Sequence, residues 1–86
     1  MSIGEVKAAL EESKRLLDQG RATMEGIDIS LAEVTSLTLA TLHDTQHAEA
    51  GSARRTLADA ARQADLALSM ISAATENTST YLRELG

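Results

Sequence analysis

The 86-residue chain sets 13 Asp and Glu against 8 Lys and Arg, for a net charge of −5, and contains no Cys, Pro, Phe or Trp and a single Tyr. That length predicts one domain, near the lower limit for a self-sufficient core. Without Cys there is no disulfide framework or thiolate metal site, without Pro nothing forbids long helices, and the only adjacent basic pairs, Lys14-Arg15 and Arg54-Arg55, are too sparse for a nucleic-acid partner.

The opening MSIGEVKAAL lacks a basic region followed by an apolar run, so no cleavable signal peptide is expected. No apolar stretch reaches the roughly 18 residues of a membrane span. The expected location is the cytoplasm, or outside the cell by a route without such a signal. Ser2 and Glu5 have the S-x-x-E spacing of a capping box, which predicts a helix from about residue 2. Lys7 with Glu11, and Glu11 with Lys14 and Arg15, have helix-pair spacing.

Counted in sevens from Ile3, the first arm places Ile3, Val6, Leu10, Ser13, Leu17, Gly20, Met24, Ile27, Leu31 and Val34 on one seam. The segment GRATMEG interrupts it with Gly20 and Gly26, and Ser30 with Glu33 forms a second capping box from which a separate helix would start. Alternation of Ile27, Ile29 and Leu31 also admits a strand. Phase favours one continuous helix over about residues 2–42, because Met24, Ile27, Leu31 and Val34 keep the register of Ile3, Val6, Leu10 and Leu17.

A turn is expected at about 43–45, with Asp44 or Thr45 capping the next helix, and Gly51-Ser52 is the alternative turn. The second helix, about 46–85, repeats the seam with Ala50, Ala53, Leu57, Ala61, Ala64, Leu68, Ile71, Ala74 or Thr75, Thr78, Leu82 and Leu85. Folding about Asp44 sets Ile3 beside Leu85, Leu17 beside Ile71, and Gly20 opposite Leu68, where the missing side chain makes room for a large one. The predicted fold is all-α, an antiparallel two-helix hairpin.

Leu16, Ile29, Leu37, Leu39 and Leu42 on the first arm, and Leu66, Met70 and Ala73 on the second, fall outside this seam. Of these, Leu16, Ile29, Leu37, Leu39, Leu66 and Met70 form the expected partner interface. Their recurrence along both arms predicts assembly into a four-helix bundle, with a second copy or a heterologous helical hairpin as the partner.

His43 and His47 have metal-compatible spacing near Asp44 and Glu49, but a turn between them separates the rings, and no metal or other cofactor is expected. Ser13, Thr38, Thr41 and Thr78 have no base and orienting group beside them, so they read as hydroxyls bonded to the preceding turn. No enzyme activity and no small-molecule substrate are expected. Between Ala22 and Ala53 there is no Lys or Arg, while Glu25, Asp28, Glu33, Asp44 and Glu49 all fall there, which makes the loop end of the hairpin acidic.

A Cys-free, Pro-free acidic hairpin of two nearly equal long helices resembles the small helical-hairpin proteins of type VII secretion. The MSIGEVKAAL opening and Ala-rich second arm are also similar to uncharacterised short helical proteins of actinobacteria. The turn reads LHDT where the secreted family carries W-x-G. Tyr81 and Glu84 approach that family's C-terminal Y-x-x-x-[DE] signal, with the acid one position early. The resemblance implies a non-enzymatic protein–protein interaction module, a partner or adaptor of a larger exported protein. The alternative is a cytoplasmic structural or scaffold coiled-coil protein that homo-oligomerises.

Overall fold

The computed structural model describes residues 1–86 as two helices, α1 (Ile3–Leu42, 40 residues) and α2 (Ala48–Leu85, 38 residues), packed antiparallel. There is no strand, and the chain is an all-α hairpin. It measures 63 × 17 × 15 Å. Its radius of gyration is 19.2 Å, against about 12 Å for a compact chain of this length.

Helix α1 starts where Ser2, in extended conformation, accepts from the Glu5 amide at 3.1 Å through its hydroxyl. It then runs through both glycines without a break. Gly20 and Gly26 each cost about 1 kcal/mol of helix propensity, and tertiary packing of a 40-residue amphipathic element outweighs that. Gly26 faces open space, with nothing within 4 Å of an added Cβ.

The turn is His43–His47. The Thr45 amide donates to the Leu42 carbonyl at 3.1 Å, and the Thr45 hydroxyl accepts from the His47 amide at 3.3 Å. Both Thr45 groups therefore serve the loop, and the residue before α2 is His47 rather than Asp44 or Thr45. The His47 side chain makes no capping bond. At the far end Gly86 takes φ +79°, the left-handed conformation that Gly adopts most cheaply, and its amide donates to the Arg83 carbonyl.

The seam differs from the expected one in register and in rotation. An added Cβ on Gly20 would meet Ile71 Cδ1 at 3.8 Å, with no Leu68 atom as near, so α2 is displaced by about one turn from the Asp44-centred pairing. The five-residue turn accounts for it, since its midpoint is Thr45. On α1 the half-buried residues are Val6, Leu10, Leu17, Gly20, Met24 and Leu31, as expected, together with Lys7, Lys14, Arg21, Asp28, Thr35, Thr38 and Leu42. Four seam expectations are corrected here. Ile3, Ile27 and Val34 are exposed, at 62%, 42% and 48%, and so is Ser13.

The physical reason lies in α2. Its inward side is rich in alanine, and only Ala50 and Ala64 are buried. Helices that meet on alanines approach closely and leave no room for two columns of branched side chains. The aliphatic stems of Lys and Arg can cover the alanines from the flank while their heads reach water. The head of Lys7 ends on the backbone of α2's C-terminus, its Nζ donating to the Gly86 carbonyl at 2.8 Å. The expected Lys7–Glu11 and Glu11–Lys14/Arg15 pairs give way to an exposed two-pronged Arg15–Glu12 pair.

Candidate interaction faces

On α2, Leu57, Ala61, Ala64, Leu68, Ile71, Leu82 and Leu85 are half-buried or buried, as are Val6, Leu10, Leu17, Gly20, Met24 and Leu31 on α1. No large side chain is fully buried. Eleven large apolar residues are exposed, among them every residue expected at a partner interface: Leu16, Ile29, Leu37, Leu39, Leu66 and Met70.

These residues do not form one surface. Thr35, Thr38, Leu39, Arg54, Leu57, Ala58 and Ala61 line one shallow groove of about 240 Å³, so Leu39 and Ala58 lie on the same side of the hairpin. At 100° per residue, Ile29 falls on that groove side too. Leu16, Leu37, Ile27 and Val34 fall on the opposite side of α1, and Met70 and Tyr81 on the matching side of α2, while Leu66 points directly away from α1. Most of the exposed large apolar residues therefore share one broad face, and Ile29 and Leu39 are separated from it.

That face is also nearly free of charge. Along α1 it reads Val6, Ala9, Ser13, Leu16, Gly20, Thr23, Ile27, Ser30, Val34, Leu37 and Thr41, without a single ionisable residue. On α2 it carries Ala53, Ala60, Ala67, Met70, Ala74 and Tyr81, with acids only near its ends, Glu49 and Glu84. The seam reading missed Ile27, Val34 and Tyr81 as members. The signal for the first two was in the sequence, as the uninterrupted uncharged column.

The groove side is tied down at the turn. Arg54 Nη2 donates to the Leu42 carbonyl at 2.8 Å, and it is half-buried. α1 has no basic residue in its last turn, so Arg54 supplies from α2 the cation that its C-terminus favours.

The hydroxyls serve the backbone. Ser13 donates to the Ala9 carbonyl at 2.9 Å, Thr41 to Leu37 at 2.8 Å and Thr75 to Ile71 at 2.9 Å. His43 closes the end of α1, with Nδ1 2.9 Å from the Ala40 carbonyl and Nε2 2.9 Å from an Asp44 carboxylate oxygen. Both ring nitrogens thus face oxygen acceptors, while His47 stands at the start of α2. No three His, Asp or Glu side chains come together in a metal-holding group. The hydrogen bond from Arg15 holds the Glu12 carboxyl below its ordinary range. Tyr81 and Glu84 are exposed in the last turns of α2. No helix is long and apolar enough to cross a membrane. No family model matches the chain, and no curated protein or solved structure matches it either.

Proposed function

We propose that this chain is a non-enzymatic protein–protein interaction module that completes its hydrophobic core against another helical hairpin, in the manner of a type VII secretion partner or adaptor. One observation carries the reading. Only Ala50 and Ala64 are buried, while the exposed surface totals 6121 Å². A compact monomer of 9.1 kDa exposes roughly 4,900 Å², so this chain leaves roughly 1,200 Å² more in water. An amphipathic hairpin with that excess gains stability by covering it. The two-helix architecture and the exposed Tyr81 and Glu84 support the adaptor form of the reading. Self-association as a scaffold is the second form, supported by the uncharged column of α1, which a second copy meets without charge repulsion.

The test is denaturant unfolding followed by circular dichroism over a hundredfold range of protein concentration. Binding to the folded state alone raises stability by mass action, so the midpoint should rise with concentration or on addition of a cognate hairpin. A transition independent of concentration, with a stability above about 5 kcal/mol, would show a self-sufficient monomer and sink the proposal.

A further inference from the structure

We propose that the groove beside the turn is a binding site for a medium-chain aliphatic carboxylate, with the carboxylate held by Arg54 and the chain lying toward Ala61. The site is on the other side of the hairpin from the uncharged face and does not depend on what covers that face. Three observations carry it.

The first is charge. In a molecule of net charge −5, Arg54 is the only ionisable residue among the seven that line the groove, and it is a cation. It is half-buried, and its bond from Nη2 to the Leu42 carbonyl uses one N–H of the guanidinium. The rest of the fork is a donor set that matches the two oxygens of a carboxylate. Asp28 and Asp65 lie beyond the Ala61 end, more than about 10 Å from Arg54 along the axis. They leave one favourable orientation, with the acid at the turn end.

The second is unused hydrogen-bonding capacity. Ser13, Thr41 and Thr75 donate to carbonyls of the preceding helical turn, whereas Thr35 and Thr38, which line the groove, make no such bond. The expectation that the Thr38 hydroxyl serves the backbone is not met. Both hydroxyls stand on the α1 wall, across from Arg54 on α2.

The third is size and lining. From Arg54 to Ala61 the groove runs about 10 Å along α2. Its volume is about 240 Å³, which at the packing density of a protein interior is room for roughly ten heavy atoms. A carboxylate of about eight carbons meets both limits. Its chain lies against Leu57, Ala58 and Ala61 and covers Leu39, an apolar side chain that is 46% exposed. The lining holds no Asp, Glu or His to act as a general base, so the acid is held and not converted.

Octanoate is the probe, titrated into the isotopically labelled full chain and followed by NMR. It should bind saturably in about the millimolar range, the affinity expected of roughly ten heavy atoms in an open groove. The resonances of Leu39, Leu57, Ala58 and Ala61 should move. Octanoate should bind at least about fivefold more tightly than octanol or octylammonium. The ammonium comparison is the sharper one, because the net charge of −5 favours a cation over the molecule as a whole.

Arg54→Gln should bring octanoate and octanol within about twofold of each other. Since Arg54 also holds the end of α1, a second variant leaves it in place. Ala58 is exposed, and Ala58→Glu sets a carboxylate one helical turn from Arg54. Helix content should not change, and octanoate should bind at least about fivefold more weakly. No saturable binding below about 20 mM would overturn the site. So would equal affinity for octanol or octylammonium, resonance shifts centred on Ile27, Val34 and Met70 of the uncharged face, or wild-type binding by Ala58→Glu. The interaction-module reading stands or falls separately, on its concentration dependence.

Discussion

Gly26 is the residue at which local propensity and tertiary structure disagree most openly. It is exposed, helical and touched by nothing within 4 Å. Gly26→Ala should therefore stabilise the protein by about 1 kcal/mol, read as a rise of about 4–8 °C in Tm for a domain of this size. Gly20→Ala should do the same, because its new Cβ would sit at ordinary contact distance, 3.8 Å, from Ile71 Cδ1. Ala64 marks the opposite limit. It is 4% exposed, so Ala64→Leu should overpack the seam and cost about 1–3 kcal/mol. If Gly20→Ala melts lower than wild type, the helices approach more closely there than the Ile71 contact implies.

At the scale of the helices, the ends are more informative than the middles. The weak start of α2 follows from Thr45 being spent on the loop, which leaves His47 in the capping position without a capping bond. His47→Asp should supply that bond, worth about 1 kcal/mol, and its charge suits a helix N-terminus. Thermal denaturation at neutral pH reads the gain. Arg54→Ala should act in the other direction, releasing the Leu42 carbonyl at the end of α1. Faster amide exchange confined to the last turn of α1 and the His43–His47 loop is the expected signature.

The extent of each helix was legible, because the seam of Leu10, Leu17, Met24 and Leu31 keeps its phase through both glycines. The second column of that seam was not. Periodicity alone placed Ile27 and Val34 inside because they are apolar, and Lys7, Lys14 and Arg21 outside because they are charged. Long basic side chains that lie flat over alanines invert that rule, and no count of apolar residues along α1 reveals what α2 offers opposite. The uncharged face was legible only in part. Leu16, Leu37 and Met70 share it, but Ile29 and Leu39 resembled them in exposure while belonging to the other side, and Leu66 points directly away from α1, distinctions that need the handedness of the hairpin.

Taken whole, the molecule is a rod in which each level of α1 meets only the matching level of α2. The contacts between Lys7 and Gly86 and between Arg54 and Leu42 close its two ends. Nothing in between lies deeper than Ala64, and no residue touches elements from more than one direction. A compact protein melts as a unit because its centre is shared by all its elements. This one has no shared centre. Like a ladder of repeats, it is held by nearest-neighbour terms along a line. The free chain should accordingly open from its Lys7–Gly86 end by degrees, and a calorimetric scan of a dissociated variant should give a van't Hoff enthalpy below the calorimetric one. A single sharp transition with the two enthalpies equal would contradict this. A second layer of helices on the uncharged face would couple the levels to one another, so that pairing changes the order of the transition as well as its midpoint.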